Sequence, residues 1–375
     1  PYIDEIIGGL IKVQGYEPRK LLKWLRLTGG IPTRSGKDSI AHILYMKNEM
    51  RDVYDATDTF LEPKDYINSR LTGINATSGD TITLHWVTDN RDLGNVVYDD
   101  SLLKIAGIER EKMPELVRAV DVIGTLQPDI ALDLGLPEGI PVIGGTPDVH
   151  SAALGSGAVA DFEPHLYLGT SSWLICHVPF KKTDISHNMA SLPSAIPDRY
   201  LLINEQECAG GCLNYLLDNI LYPDDVLNGA TRPSDAFDHL NALGEGAPAG
   251  SDGLIFTPWL YGERAPIDDH TVRGGFFNQS LRTTRAHMVR AVYEGVAYNS
   301  KWLLKYVEKF VKQTLPDIRV IGGGARSHLW CQIFADVLDR NIHLVAEPLQ
   351  ANTRGAALLA SVALGYLQLD EISRH

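Results

Sequence analysis

Three stretches of this chain carry residue types at spacings that chemistry can use. Asp148 follows Gly144-Gly145-Thr146-Pro147 and opens Asp148-Val149-His150-Ser151, which reads as the first turn of a small-residue helix. A carboxylate placed there either caps the helix or stands free to accept a proton from a reacting hydroxyl. His150 is a rival base two residues on, but helical geometry turns it away from Asp148. Gly169-Thr170-Ser171-Ser172 lies between apolar runs, where successive backbone N–H groups form either an anion nest or a plain β-turn. Gly322-Gly323-Gly324 separates the apolar run Ile318 to Ile321 from a helical pattern. Without Cβ atoms, such a turn lets another molecule approach the backbone, and a helix N-terminus beyond it suits the phosphates of a nucleotide. A tight strand-to-helix connection would explain the same glycines.

These residues need elements to hold them. The helix after the triple glycine, expected from residue 325 to 339, places Trp330, Ile333, Phe334, Val337 and Leu338 on one side. Long amphipathic helices are also expected over 284–311 and 352–365, the last capped by Asn352 or Thr353. Two helices between residues 17 and 51 are broken by Gly29-Gly30-Ile31-Pro32. Pro141 to Gly145 reads as a short buried strand running into the turn before Asp148. The pattern resets around Ala158 to Glu163, and strands then alternate with helices, which implies an α/β fold. Lys64 and Asp65 read as a solvated or capping pair, and Arg264 and Arg273 as structural ties.

At 375 residues the chain is long for one core, and two domains are expected. A formal net charge of −13 argues against nucleic acid or an anionic membrane as partner. Phosphate would therefore have to be held by backbone N–H groups, a metal and a few basic side chains. No apolar run approaches the roughly 18 residues of a membrane span, and four cysteines without a paired framework suit a reducing, cytoplasmic setting.

In chain order, Phe60-Leu61-Glu62-Pro63-Lys64-Asp65-Tyr66, Gly145-Thr146-Pro147-Asp148, Gly169 to Ser172, Gly262-Glu263-Arg264-Ala265-Pro266, Arg273-Gly274-Gly275-Phe276, His287 to Ala297 and the glycine run are similar to the FGGY carbohydrate kinases, most of all their xylulose kinase-like branch. The resemblance covers nearly the whole chain. It implies two ribonuclease H-like (actin-type ATPase) domains around a cleft. Residues 1–160 would be the C-terminal part of a sugar-binding domain, left incomplete here, and residues 161–375 the nucleotide-binding domain. Asp148 would be the general base of phosphoryl transfer from ATP to a small ketose or polyol. With Val149 it would also meet the sugar, and it would reach Mg2+ through water. Gly169, Thr170 and Ser171 would contact the phosphates. Gly323, Gly324 and Ala325 would line the adenosine pocket, with His328 near the base. The partners are thus ATP and a sugar, and two copies of the chain could pair.

The chain departs from the family pattern in two places. His42 and Tyr45 stand where a Lys and a Trp are expected, and Asn278-Gln279 replaces a glycine followed by an aliphatic residue. No Asp-x-Gly-Thr phosphate hairpin is found in the first hundred residues, the chain opens at Pro1 in mid-domain, and it stops soon after Leu367, so a piece of a longer kinase is expected. The alternative is a non-catalytic actin-fold sensor of sugar or nucleotide. A dinucleotide-binding oxidoreductase is disfavoured, because no Gly-x-Gly-x-x-Gly opens a βαβ unit.

Overall fold

Apolar residues at helical spacing build the first part of the molecule. In the computed structural model, which describes residues 1–13, 15–226 and 231–374, the helices Pro18–Leu27 and Ser39–Glu49 flank the predicted glycine-proline break. With Arg51–Ala56 and Asp100–Ala106 they bury Trp24, Ile40, Tyr54, Phe60 and Trp86 in one cluster. Leu192, from a strand far along the chain, completes that cluster.

A seven-stranded sheet organises the rest. Its order is Asn341–Leu344, Asp317–Ile321, Pro164–Leu168, Ser172–Val178, Tyr200–Ile203, Met189–Pro193 and Thr183–Asp184. The first three strands are parallel, and the others pair antiparallel. The alternation of a strand explains why both faces are covered. Leu174, Cys176 and Val178 face one core with the helices Arg285–Val311 and His328–Leu338. Trp173 and Ile175 face another, with Ala152, Ala153 and Ala351 from the helices Asp148–Gly155 and Ala351–Ala363.

Local chemistry sets the helix ends. Arg285–Val311 begins with a capping box, the Thr284 hydroxyl accepting from His287 N–H and His287 Nδ1 accepting from Thr284 N–H. Asn278 adopts a left-handed backbone at φ 68° and donates its amide to the Gly253 carbonyl at 3.0 Å. Asn tolerates that conformation better than other side chains, which is how the chain dispenses with glycine there.

Three expectations are corrected. The helix after the triple glycine starts at His328 rather than residue 325, because a 3-10 turn, Gly323–Arg326, intervenes and Ser327 supplies the cap. The last helix starts at Ala351 behind a 3-10 turn, Pro348–Gln350, with no side-chain cap from Asn352 or Thr353. Pro141–Ile143 is half-exposed instead of buried, paired among the described residues only with Val122–Thr125.

The second part of the chain also holds the first at the main chain. Lys181 Nζ donates to the carbonyls of Arg26 and Leu27, both at 2.6 Å, at the end of the Pro18–Leu27 helix. The Thr183 hydroxyl donates to the Gly29 carbonyl.

Candidate active site

Two turns at the same edge of the sheet frame a cleft of about 460 Å³. Gly169-Thr170 joins Pro164–Leu168 to Ser172–Val178, and the glycine run follows the neighbouring parallel strand Asp317–Ile321. Gly169 N–H donates to the Ser171 carbonyl at 3.0 Å, so it is spent inside the turn. The carbonyls of Gly169 and Thr170 accept from N–H groups of Ala209, Gly210 and Gly211. Thr170 itself is exposed, its N–H and hydroxyl without a protein partner among the described residues.

The floor of the cleft is aromatic and rigid. Trp330 donates its indole N–H to the Tyr293 carbonyl at 3.1 Å, and the two rings meet edge to face with centroids 5.3 Å apart. Asn241 Oδ1 accepts from the Tyr293 hydroxyl at 2.8 Å and from the Ser327 hydroxyl at 2.6 Å. Both bonds fix the amide so that its NH2 group is left to donate elsewhere. Arg326 lines the same cleft and makes no ion pair among the described residues.

Asp148 is not among the residues that line this cleft. It is the first residue of its helix, Pro147 being the cap, and it is exposed. A negative charge at that position is favoured by the helix dipole. Its Oδ1 accepts from Val149 N–H at 2.7 Å. Tyr167, on the wall of the cleft, is stacked on Trp173 with ring centroids 4.0 Å apart. Burial, together with the negative charge of Asp148, raises the Tyr167 phenol above its ordinary value. His150 is buried, its Nε2 3.0 Å from the Pro193 carbonyl, as expected of a residue turned away.

The fold and the matched sequence segments together decide the family. The model of the FGGY carbohydrate kinase C-terminal domain matches residues 166–364, and that of the N-terminal domain matches residues 21–155. The chain belongs to the FGGY family of carbohydrate kinases. It has the family's α/β architecture of two ribonuclease H-like, actin-type domains. Among characterised relatives it is 26 % identical over 336 residues to the xylulose kinase of Bacillus subtilis, covering 88 % of this chain and 63 % of that one. To the gluconokinase of the same organism it is 28 % identical over 328 residues, covering 87 % and 62 %. The crystal structure of gluconate kinase from Lactobacillus acidophilus superposes with a TM-score of 0.81 at 27 % identity, covering 95 % of this FGGY chain and 69 % of the other. The chain thus spans less than two thirds of the length of these curated relatives.

Of the residues singled out from sequence, Gly169, Thr170, Gly323 and Gly324 line the cleft. Ser171, Ala325 and His328 do not: Ser171 closes the turn, Ala325 is buried under it, and His328 is exposed one residue beyond the wall. Ser327 stands on the wall instead. A Ser just ahead of an apolar helix is a cap signal legible in sequence, whereas Tyr167 and Asn241 carried no such mark. Val149 is half-buried among the apolar residues between helix and sheet. Arg264 forks onto Glu205 and Glu207, and Arg273 donates to the carbonyls of His270 and Val272, as structural ties would. Lys64 and Asp65 are the clear correction: Asp65 is 1 % exposed, and Lys64 Nζ donates to it and to the Gly144 carbonyl.

Proposed function

We propose that this chain carries the phosphoryl-transfer site of an ATP-dependent sugar kinase, with a ketopentose such as xylulose, or gluconate, as acceptor. The observation that carries the reading is the exposed Asp148 carboxylate at a helix N-terminus, whose charge is felt by Tyr167 on the wall of the cleft that Gly169, Thr170 and Gly323 also line. ATP would lie in that cleft, its base over Trp330 and Tyr293 and its phosphates toward the Thr170 N–H and hydroxyl. Asn241 would donate its free amide to an acceptor on the nucleoside. The sugar would approach from the Asp148 side, where the carboxylate accepts the hydroxyl proton as the phosphoryl group transfers. We place the boundary between the sugar and nucleotide domains at residues 160 and 161, in the segment that neither family match includes.

Among the described residues no group of three His, Cys, Asp or Glu side chains could hold a metal. Mg2+ commonly needs only one or two carboxylates beside phosphate oxygens and water, and Asp148, exposed and singly bonded, fits that demand. When bound, the ion would neutralise charge on the transferring phosphates.

Sugar-dependent ADP release, measured with xylulose and gluconate, tests the reading. Asp148→Asn is expected to lower kcat at least about 100-fold, the scale of a lost general base, with ATP affinity unchanged by calorimetric titration. Near-normal turnover in that variant removes Asp148 from the role.

A further inference from the structure

Asp148 has little to hold its carboxylate sideways. Its side chain is exposed, and its hydrogen bond comes from the adjoining N–H of its own helix. Where the carboxylate points is therefore set by the backbone of Gly144, Gly145, Thr146 and Pro147. That segment is tied at Gly144, at Gly145 and through the Thr146 side chain. Gly144 and Gly145 donate to the carbonyls of Asp121 and Ala119, each at 2.9 Å. The Gly144 carbonyl accepts from Lys64 Nζ at 2.6 Å and from Asn68 Nδ2 at 3.0 Å, and Asn68 also reaches the Ile143 carbonyl at 3.2 Å. The Ser78 hydroxyl donates to the Gly145 carbonyl at 2.9 Å. The Thr146 hydroxyl donates to the buried Asp80 carboxylate.

Lys64 and Asn68 sit one turn apart on the helix Pro63–Thr72, so both face the same carbonyl. Lys64 is itself steered by Asp65, which is buried beneath it. Burial raises the Asp65 carboxyl and Lys64 opposes that rise, as a pair fixed in place would. An exposed salt bridge would leave the lysine free to wander; this one aims it.

We propose that Lys64 and Asn68 are positioning residues for phosphoryl transfer, holding the Gly144 carbonyl so that Asp148 meets the acceptor hydroxyl. The inference rests on the reading of Asp148 as the base. Displacing a base by about 1 Å can cost on the order of 100-fold in rate, so side chains that touch no substrate can govern kcat.

The test is a double-mutant cycle in the full chain, with kcat from ADP release, ATP affinity from calorimetry and a thermal melt for each variant. Lys64→Met is expected to lower kcat on the order of 100-fold and Asn68→Ala roughly tenfold, with ATP affinity unchanged. In an Asp148→Asn background both effects should shrink to about twofold or less, because there is no base left to misplace. The same fold-loss in both backgrounds would mean that the two residues only support the fold, and would overturn the proposal. So would full activity of Lys64→Met and Asn68→Ala beside an inactive Asp148→Asn, while the base reading survived. Near-normal turnover of Asp148→Asn alone would remove the base and the proposal with it. If Lys64→Met melts too low to assay, because Asp65 is left buried and unpaired, Asn68→Ala, which removes no charge, decides the question by the same comparison.

Discussion

At the scale of single residues, Gly323 and Gly324 have different neighbours although they are adjacent. A Cβ at Gly324 would stand 2.7 Å from Leu168 Cβ and 2.8 Å from the Trp330 ring, pressed into the wall. A Cβ at Gly323 would find its nearest neighbour, Leu349 Cδ2, at 4.0 Å and would project into open space. Gly323→Leu is therefore expected to weaken ATP binding, with sugar affinity and melting temperature nearly unchanged. Gly324→Leu, which overpacks the wall at about 1–3 kcal/mol, is expected to lower the melting temperature as well. Calorimetric titration with ATP and thermal melts of both variants check this; equal behaviour would mean that Gly323 does not border the nucleotide. The triple glycine was legible in the sequence as a place of close approach. Which glycine admits a ligand and which admits its own protein depended on Leu168 and Trp330, whose positions no local pattern encodes.

At the scale of elements, the helices Asp148–Gly155 and Ala351–Ala363 cross with their backbones in contact. A Cβ at Gly155 would lie 1.7 Å from the Ala351 carbonyl oxygen, and one at Gly355 would lie 1.8 Å from that of Ser151. Neither neighbour is the end of a flexible side chain, so the helices would have to separate. Gly355→Ala is expected to cost about 3 kcal/mol, the upper end of overpacking. Gly275→Ala, where a Cβ meets nothing within 4 Å, should cost little. Urea denaturation compares them, and equal stabilities would refute the close crossing. The small residues of the last helix signalled tight packing in the sequence, and the amphipathic runs of Arg285–Val311 and His328–Leu338 signalled their own helices. The last helix starts within one residue of the expected place, but a 3-10 turn at Pro348–Gln350, not a side-chain cap, launches it. Lys64 was misread for a related reason: its partner carbonyl lies 80 residues away, and periodicity carries no information at that range.

At the scale of the whole molecule, three buried histidines tie stability to pH. Burial lowers His85 and His177 to about 4 and His165 to about 3. His165 Nε2 accepts from the Trp173 indole at 3.1 Å, so the ring is held neutral. These rings protonate in the unfolded chain near pH 6.5 and in the folded one only near pH 3–4. Their contribution is thus complete above pH 6.5 and lost as pH falls toward 4. Each can steepen the loss by up to about 1.4 kcal/mol per pH unit. Urea midpoints should therefore fall from pH 6.5 to pH 4.5, and a His177→Gln variant should fall less steeply. A flat profile over that range would contradict the burial of these rings.

The bonds from Lys181 and Thr183 to the end of the Pro18–Leu27 helix also set an order of events at the ribosome. Lys181 and Arg26 are 155 positions apart, and at about 5–20 residues per second that separation is roughly 8–30 s of synthesis. Until then the carbonyls of Arg26 and Gly29 lack these partners, the Leu27 carbonyl has only the Asn90 N–H, and the first hydrophobic cluster lacks Leu192. The nascent N-terminal part therefore emerges with an unfinished core, which gives chaperones a defined interval in which to hold it.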